Sequence, residues 1–253
     1  MIVTLLGTGT SQGVPVIACK CDVCRSDDAK DNRLRCAIMI EEGTSRIVVD
    51  VGPDFRQQML RYQVENLDAI LLTHEHADHI FGLDDIRSFN WVHKSPMDVY
   101  CEARVQKSLK SIFSYVFDDN KYPGIPQMNL INLENREFKI GPFTITPIRA
   151  YHYKLAVYGF RFGRFAYMTD FNVIENQEIE KLIGVDVLVI CALRKTSHIS
   201  HLNLEGALEL IGRIGPRKAY LTHMSHEIGK HRDLARELPA NVEPGYDGLV
   251  IEM

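Results

Sequence analysis

The chain has 253 residues, 45% of them hydrophobic and 25% charged, which is enough apolar material for a sizeable packed core. Its net charge of −4 offers no basic excess to a nucleic-acid backbone, which argues against a dedicated DNA or RNA binder. No apolar stretch approaches the roughly 18 residues of a membrane span. Met1–Leu6 lacks the basic region of a signal peptide, and the six cysteines are not spaced as a secreted disulfide framework, so a soluble cytoplasmic protein with reduced thiols is expected.

Ile2–Leu6 reads as a strand and GTGTSQGVP as the loop after it. Cys36–Ile40 and Arg46–Val49 read as paired strands joined around Gly43. Asp54–Tyr62 has helical spacing after Pro53, and Asp68–Leu72 is a short buried strand. Val99–Cys101 is a further strand, and Glu102–Val116 a helix with Val105, Leu109, Ile112, Phe113 and Val116 as its apolar stripe. Asp119–Gln127 is a loop inside the segment 87–128, which reads as an insertion; Trp91, Tyr115 and Tyr122 there either line a substrate site or pack.

Strands follow at Asn129–Leu133, Phe138–Ile140, Phe143–Ile148, Val157–Phe162 and Phe165–Met168. Helices are expected over Glu175–Ile183, Leu204–Ile214 and His226–Leu238, with strands at Val185–Ile190, Lys218–Leu221 and Leu249–Ile251. Strands with single interleaved helices suit two sheets between helix layers, and no linker divides the chain, so one domain over 1–253 is expected.

The strongest chemical signal is THEHADH at Thr73–His79, which directly follows the strand DAILL. His74, His76, Asp78 and His79 would sit where loops build sites, at the carboxyl end of a strand. The position four after His74 is Asp78, so the HExxH pattern of zincins does not apply. Imidazole and carboxylate suit Zn²⁺, Mn²⁺ or Fe. His152, Asp170 and His223 each stand just after an expected strand, a placement that lets distant residues converge. Asp68 is either an acceptor behind a ligand histidine or an ordinary aspartate at a strand start.

The pattern resembles the metallo-β-lactamase superfamily of hydrolases. HEHADH matches its H-x-H-x-D-H signature, and a lone His, a lone Asp and a final His follow in family order. The resemblance implies an α/β, αββα sandwich of two mixed sheets flanked by helices. It implies one metal held by His74, His76 and His152, a second by Asp78, His79 and His223, and Asp170 bridging them. Two such ions, zinc or manganese, would generate the nucleophile as a metal-bound hydroxide.

The cysteines narrow the resemblance. GTGTSQGVP, then CKCDVC, then THMSH look like the cyclic phosphodiesterase of the carbon–phosphorus lyase (phosphonate) pathway. By that likeness Cys19, Cys21, Cys24 and His226 hold a structural zinc, a normal closed ligand set. His201 matches a family histidine assigned to proton donation, and with Asp78 it is the expected catalytic residue; His198 is the weaker candidate.

GTGTSQG is not a dinucleotide fingerprint, because its glycines are spaced G-x-G-x-x-x-G and no helix start follows. Gly9 therefore belongs either to a loop offering N–H groups to an anion or to a purely structural turn. Arg87 would either fork onto a phosphate oxygen or pair with Asp84 or Asp85.

The implied activity is hydrolysis of a small phosphodiester, nearest a cyclic sugar phosphodiester. The alternatives are a ribonuclease Z-like nuclease processing tRNA, a thioester or lactone hydrolase, and a non-catalytic metal-binding scaffold. No membrane or nucleic-acid partner is expected, and a homodimer is left open.

Overall fold

The computed structural model describes residues 1–118 and 123–253. Strands β1 (Ile2–Gly7), β2 (Ala37–Glu42), β3 (Ser45–Val49), β4 (Ala69–Leu71), β5 (Met97–Cys101) and β6 (Met128–Asn132) form one seven-stranded sheet with β14 (Val250–Glu252). Its order is β14-β1-β2-β3-β4-β5-β6. The second sheet runs in the opposite sense through β7 (Phe138–Ile140), β8 (Phe143–His152), β9 (Leu155–Phe162), β10 (Phe165–Met168), β11 (Val187–Cys191), β12 (Lys218–Thr222) and β13 (Val242–Pro244). Each sheet has antiparallel pairs at its beginning and a parallel half, β3 to β6 and β10 to β13.

Side-chain alternation sorts the core into three layers. Val3, Leu5, Ile38, Ile40, Ile47 and Val49 face Phe143, Ile145, Tyr158, Phe160 and Tyr167 between the sheets. The opposite faces, through Leu6, Met39, Val48 and Ile70, meet helices α1 (Phe55–Arg61), α2 (Ala77–Ile80), α3 (Arg87–His93) and α4 (Ala103–Ile112), followed by the short α5 (Ser114–Phe117). Beyond the second sheet lie α6 (Asn176–Glu180), α7 (Leu204–Ile214) and α8 (His231–Glu237). Ala207, Leu210, Ile211 and Ile214 of α7 pack there on Leu188, Ile190, Ala219 and Leu221. The result is the αββα sandwich. Among the described residues no helix is long and apolar enough to cross a membrane.

Helix α7 has the expected span, with Asn203 accepting from the Gly206 N–H at its start and Gly215 left-handed (φ 69°) at its end. Two expected helices are broken. Phe113 interrupts 102–116, and Gly229, at φ 108°, separates a 3₁₀ turn at His226–Ile228 from α8. The strand Val242–Pro244 and helices α2 and α3 carry too few residues for a clear period. Segment 87–128 is no appended insertion: β5 and β6 complete the first sheet and α4 covers it. Tyr122 and the start of the 119–127 loop lie outside the described residues.

Candidate metal centre

The parallel halves of both sheets direct their carboxyl ends to one edge, where crossover loops converge. β4 delivers Thr73–His79, β10 delivers Asp170, and β12 delivers His223. His152 is the last residue of β8. Asp50, Asp170 and His223 follow their strands with φ of 67°, 51° and 53°, a left-handed conformation that non-glycine residues rarely adopt. Each tight reversal turns a side chain back over its strand end, and such strain persists only where its surroundings enforce it.

His74, His76 and Asp170 offer ligand atoms all within 4.8 Å of one another. A second group, Asp78, His79, Asp170 and His223, meets the same limit, so Asp170 is common to both. Its Oδ2 lies 3.3 Å from His74 Nε2 and 3.0 Å from His79 Nε2, while Oδ1 lies 2.5 Å from His223 Nε2. Asp78 Oδ2 is 3.2 Å from His79 Nε2 and 3.8 Å from His223 Nε2. His152 stands slightly outside the first group, its ring centroid 5.1 Å from that of His76 and 5.9 Å from that of His74.

The donor set fits cations. His74 Nε2, His223 Nε2 and Asp170 Oδ1 are buried and make no well-aligned hydrogen bond, close as they are to one another. Lone pairs aimed at shared space without mutual alignment are what a metal needs and what an apolar core forbids.

The outer partners set the tautomers. Asp50 is fully buried and accepts from His79 Nδ1 at 2.7 Å and from the Thr73 N–H at 2.9 Å. The Thr73 hydroxyl donates to Asp50 at 2.9 Å, so its oxygen accepts from His74 Nδ1 at 2.9 Å. His152 Nδ1 donates to the Ser200 carbonyl at 2.8 Å. In all three rings Nδ1 donates outward, which leaves Nε2 as the atom that faces the centre. Asp68, the aspartate singled out for this role in the sequence, instead accepts from the Arg46 N–H at 2.7 Å. Asp50 was missed, although its setting, an aspartate closing the buried strand RIVV, is the setting of Asp170 after FAYM.

Burial pushes the Asp170 carboxyl up, but His223 and His79 outweigh it and hold it well below the usual carboxylate range. Burial also raises Asp78, which His79 and His223 pull down more strongly. Burial lowers His223, yet Asp170 and Asp78 lift it to about 9. His74 falls to about 3, chiefly by burial and then by the charge of His79. Cys36 was also missed. Its sulfur lies within 4.8 Å of ligand atoms of His79 and His223, and burial keeps its thiol protonated far above the ordinary range.

His201 stacks on His223 with centroids 5.0 Å apart and approaches His152 at 4.4 Å. Its Nδ1 is 3.6 Å from Asp170 Oδ1. Burial, then the neighbouring His223, draws its imidazole down to about 3. His198 lies farther out, 5.0 Å from His201, and accepts from the Ser200 N–H.

The second constellation also assembles. Cys19, Cys21, Cys24 and His226 place their ligand atoms within 4.8 Å of one another. His226 Nδ1 lies 3.4 Å from Cys19 Sγ and 3.3 Å from Cys21 Sγ. An edge of about 3.5 Å is expected for a tetrahedron with zinc–sulfur and zinc–nitrogen bonds of about 2.3 and 2.0 Å. The Cys24 N–H, and next His226, draw the Cys21 thiol down to about 6. Beside it the buried Arg33 donates to the carbonyls of Ser225 and Gly229, each at 3.3 Å, tying the N-terminal loop to the segment after His223.

At two residues for which the sequence left two readings, the structure shows the structural one. Arg87 is on the surface, paired with Asp84 at 2.6 Å, so its guanidinium is committed to the ion pair and not to a phosphate site. The Gly9 N–H donates to the Leu34 carbonyl at 2.7 Å and is not free for an anion. Gly9 is there for space, since a Cβ would lie 2.7 Å from the Arg33 carbonyl oxygen. Trp91 is exposed on α3, and the Tyr115 hydroxyl donates to Asp84 at 2.5 Å.

Helix α4 braces the metal loop in a way local sequence could not reveal. Arg104 pairs with Glu75, inside the histidine motif, and donates to the Ala156 carbonyl at 2.6 Å.

Residues 45–224 match the model of the beta-lactamase superfamily domain. An octanoyltransferase of Porphyromonas gingivalis is 42% identical over 97% of this chain, but the chain spans about half the length of that curated relative. The crystal structure of a new diphosphatase from the PhnP family superposes with a TM-score of 0.93 at 35% identity, covering 100% of this chain and 97% of that one. Zn²⁺-bound PqqB from Methylobacterium extorquens, at 18% identity and a TM-score of 0.78 over the full length of both chains, shares the fold. The chain thus belongs to the beta-lactamase superfamily, as a metallo-β-lactamase-fold hydrolase related to the PhnP family.

Proposed function

We propose that this protein is a two-metal phosphodiesterase acting on a small phosphodiester. The observation that carries the reading is the pair of ligand groups sharing Asp170. Two divalent ions, zinc or manganese, would acidify water and neutralise charge developing on phosphoryl oxygens. His74, His76 and His152 would hold one ion, Asp78, His79 and His223 the other, and Asp170 both. Cys19, Cys21, Cys24 and His226 would hold a third, structural zinc.

A water that has given one proton to solvent bonds through its oxygen to phosphorus as the opposite P–O bond breaks, and the electron pair of that broken bond leaves with the alkoxide. Asp78, between His79 and His223, fixes the direction of attack. His201 gives its proton to the leaving oxygen. Burial and His223 hold the imidazole low, and an anionic phosphoryl group beside it would raise its proton affinity and so favour the proton-giving form.

Likeness to a PhnP-family diphosphatase supports phosphorus over carbonyl chemistry. The octanoyltransferase is twice as long as this chain, so its acyl chemistry is not assigned to the matched half. A ribonuclease Z-like role is ranked lower on the net charge of −4.

The test is turnover of bis(p-nitrophenyl) phosphate and 2′,3′-cyclic nucleotides with Mn²⁺ or Zn²⁺, beside thioesters and lactones. Phosphodiester cleavage is expected; activity on the carbonyl substrates alone refutes the assignment.

A further inference from the structure

Of the three histidines proposed for the first ion, His74 is held from behind by Thr73 and His152 by the Ser200 carbonyl. His76 is exposed, and its ring has no outer hydrogen bond among the described residues. Ligand histidines ordinarily have such a partner, so His76 takes its aim from the backbone that carries it.

That backbone is gripped at Glu75, the residue between His74 and His76. Arg104, in the first turn of α4, donates through Nη1 to Glu75 Oε1 and through Nη2 to the Ala156 carbonyl at 2.6 Å. Ala156 is paired across the β8–β9 ladder with Tyr151, the neighbour of His152. One planar guanidinium thus spans the segments that bring His76 and His152, with a different nitrogen on each. Two residues along β9, the Tyr158 N–H donates to the Thr73 carbonyl at 3.1 Å, so β9 meets the loop on both sides of His74.

Glu75 depends on this contact. Its side chain is 19% exposed, and its Oε2 is buried with no hydrogen bond. Without Arg104 a largely buried carboxylate would stand unpaired between two ligands. Glu102 Oε2 stands 3.8 Å from Arg104 Nη2 but accepts from Arg149 at 3.2 Å, so Glu75 is the carboxylate that Arg104 serves. The spacing it sets matters, because His152 lies outside the close group of His74, His76 and Asp170.

We infer that Arg104 is a positioning residue for the first metal position: through Glu75 and the Ala156 carbonyl it fixes the loop of His74 and His76 against the hairpin that carries His152. The inference rests on the two-metal reading and adds a residue of α4, outside every ligand segment, that governs one ion and not the other. The hydrogen bonds and ion pairs of Arg104 include none to Asp50, Asp78, His79 or His223.

Metal affinity tests this without turnover. By chelator competition, Arg104→Gln should lower the affinity for one of the two ions about 10- to 100-fold, and leave the other within about twofold. In a His76→Ala background, where the first position has already lost a ligand, Arg104→Gln should change the remaining ion by less than about twofold. Glu75→Gln breaks the contact from its other end, so Glu75→Gln with Arg104→Gln should lose no more than the worse single variant. Unchanged affinity, an equal fall at both ions, or additive losses in the double variant overturns the inference. If Arg104→Gln does not fold, Glu75→Gln carries the same comparison of the two ions. Wild-type protein that takes up fewer than two ions beyond the cysteine set refutes the two-metal reading itself, whatever the variants do.

Discussion

Asp50→Asn probes the metal centre from behind while sparing the backbone, since asparagine tolerates the left-handed φ of 67° at this position. The Asp50 carboxylate accepts from the Thr73 N–H, the Thr73 hydroxyl and His79 Nδ1. An amide has one accepting oxygen. If that oxygen keeps the Thr73 N–H, the NH₂ faces His79 Nδ1, and the ring must move its proton to Nε2, the atom a metal would need. If the amide flips, two donors collide at Thr73. Loss of such an outer partner lowers metal affinity by about 10- to 100-fold, or about 1.4–2.8 kcal/mol. Competition with a chromophoric chelator reads this directly, and metal bound to the proposed cysteine set would serve as the internal reference. Affinity within about twofold of wild type would refute the idea that Asp50 sets the tautomers.

Three further outcomes are expected. Cys21→Ser should lower the metal content from about three to about two per chain, with a lower Tm; unchanged content by elemental analysis would remove the cysteine site. Gly52→Ala would place a Cβ 2.0 Å from the Asp78 carbonyl oxygen, so it should cost about 2–3 kcal/mol, or about 4–12 °C in Tm; an unshifted melting curve would show that the metal loop can yield. His201→Ala should slow alkyl phosphodiesters by about 10²- to 10⁴-fold and p-nitrophenyl esters far less, because p-nitrophenolate leaves without a proton; equal losses would remove the acid role.

Much of the site was legible because its ligands cluster locally. THEHADH places four ligand-type residues in one loop after an apolar strand, and the strand ends at Asp170 and His223 are marked by FAYM and KAYL. Period-two alternation also assigned most strands and the period of α7 its helix. Residues that act through distant partners were not legible. Asp68 and Asp50 are both strand-end aspartates, and only the parallel register of β3 on β4, pairing Val49 with Leu71, sets Asp50 beside Thr73. Cys36 gave no local signal because its neighbours are far along the chain, His79 in α2 and His223 just after β12.

The sequence by itself determined the ligand chemistry, since imidazole, carboxylate and thiolate at these spacings leave few uses other than holding metals. It also determined the layering, since alternating apolar residues must bury both faces of each sheet. Tertiary structure alone decided which aspartate backs His79, that Arg87 pairs with Asp84, that Arg104 of α4 grips Glu75, and that Asn172 ties the backbone of Tyr153 to that of Ile199. The physical reason is range. Propensity and periodicity act over a few residues, whereas these contacts join positions 19 to 29 apart, except for the short-range Arg87–Asp84 pair, and they depend on strand register and loop closure that no local pattern encodes.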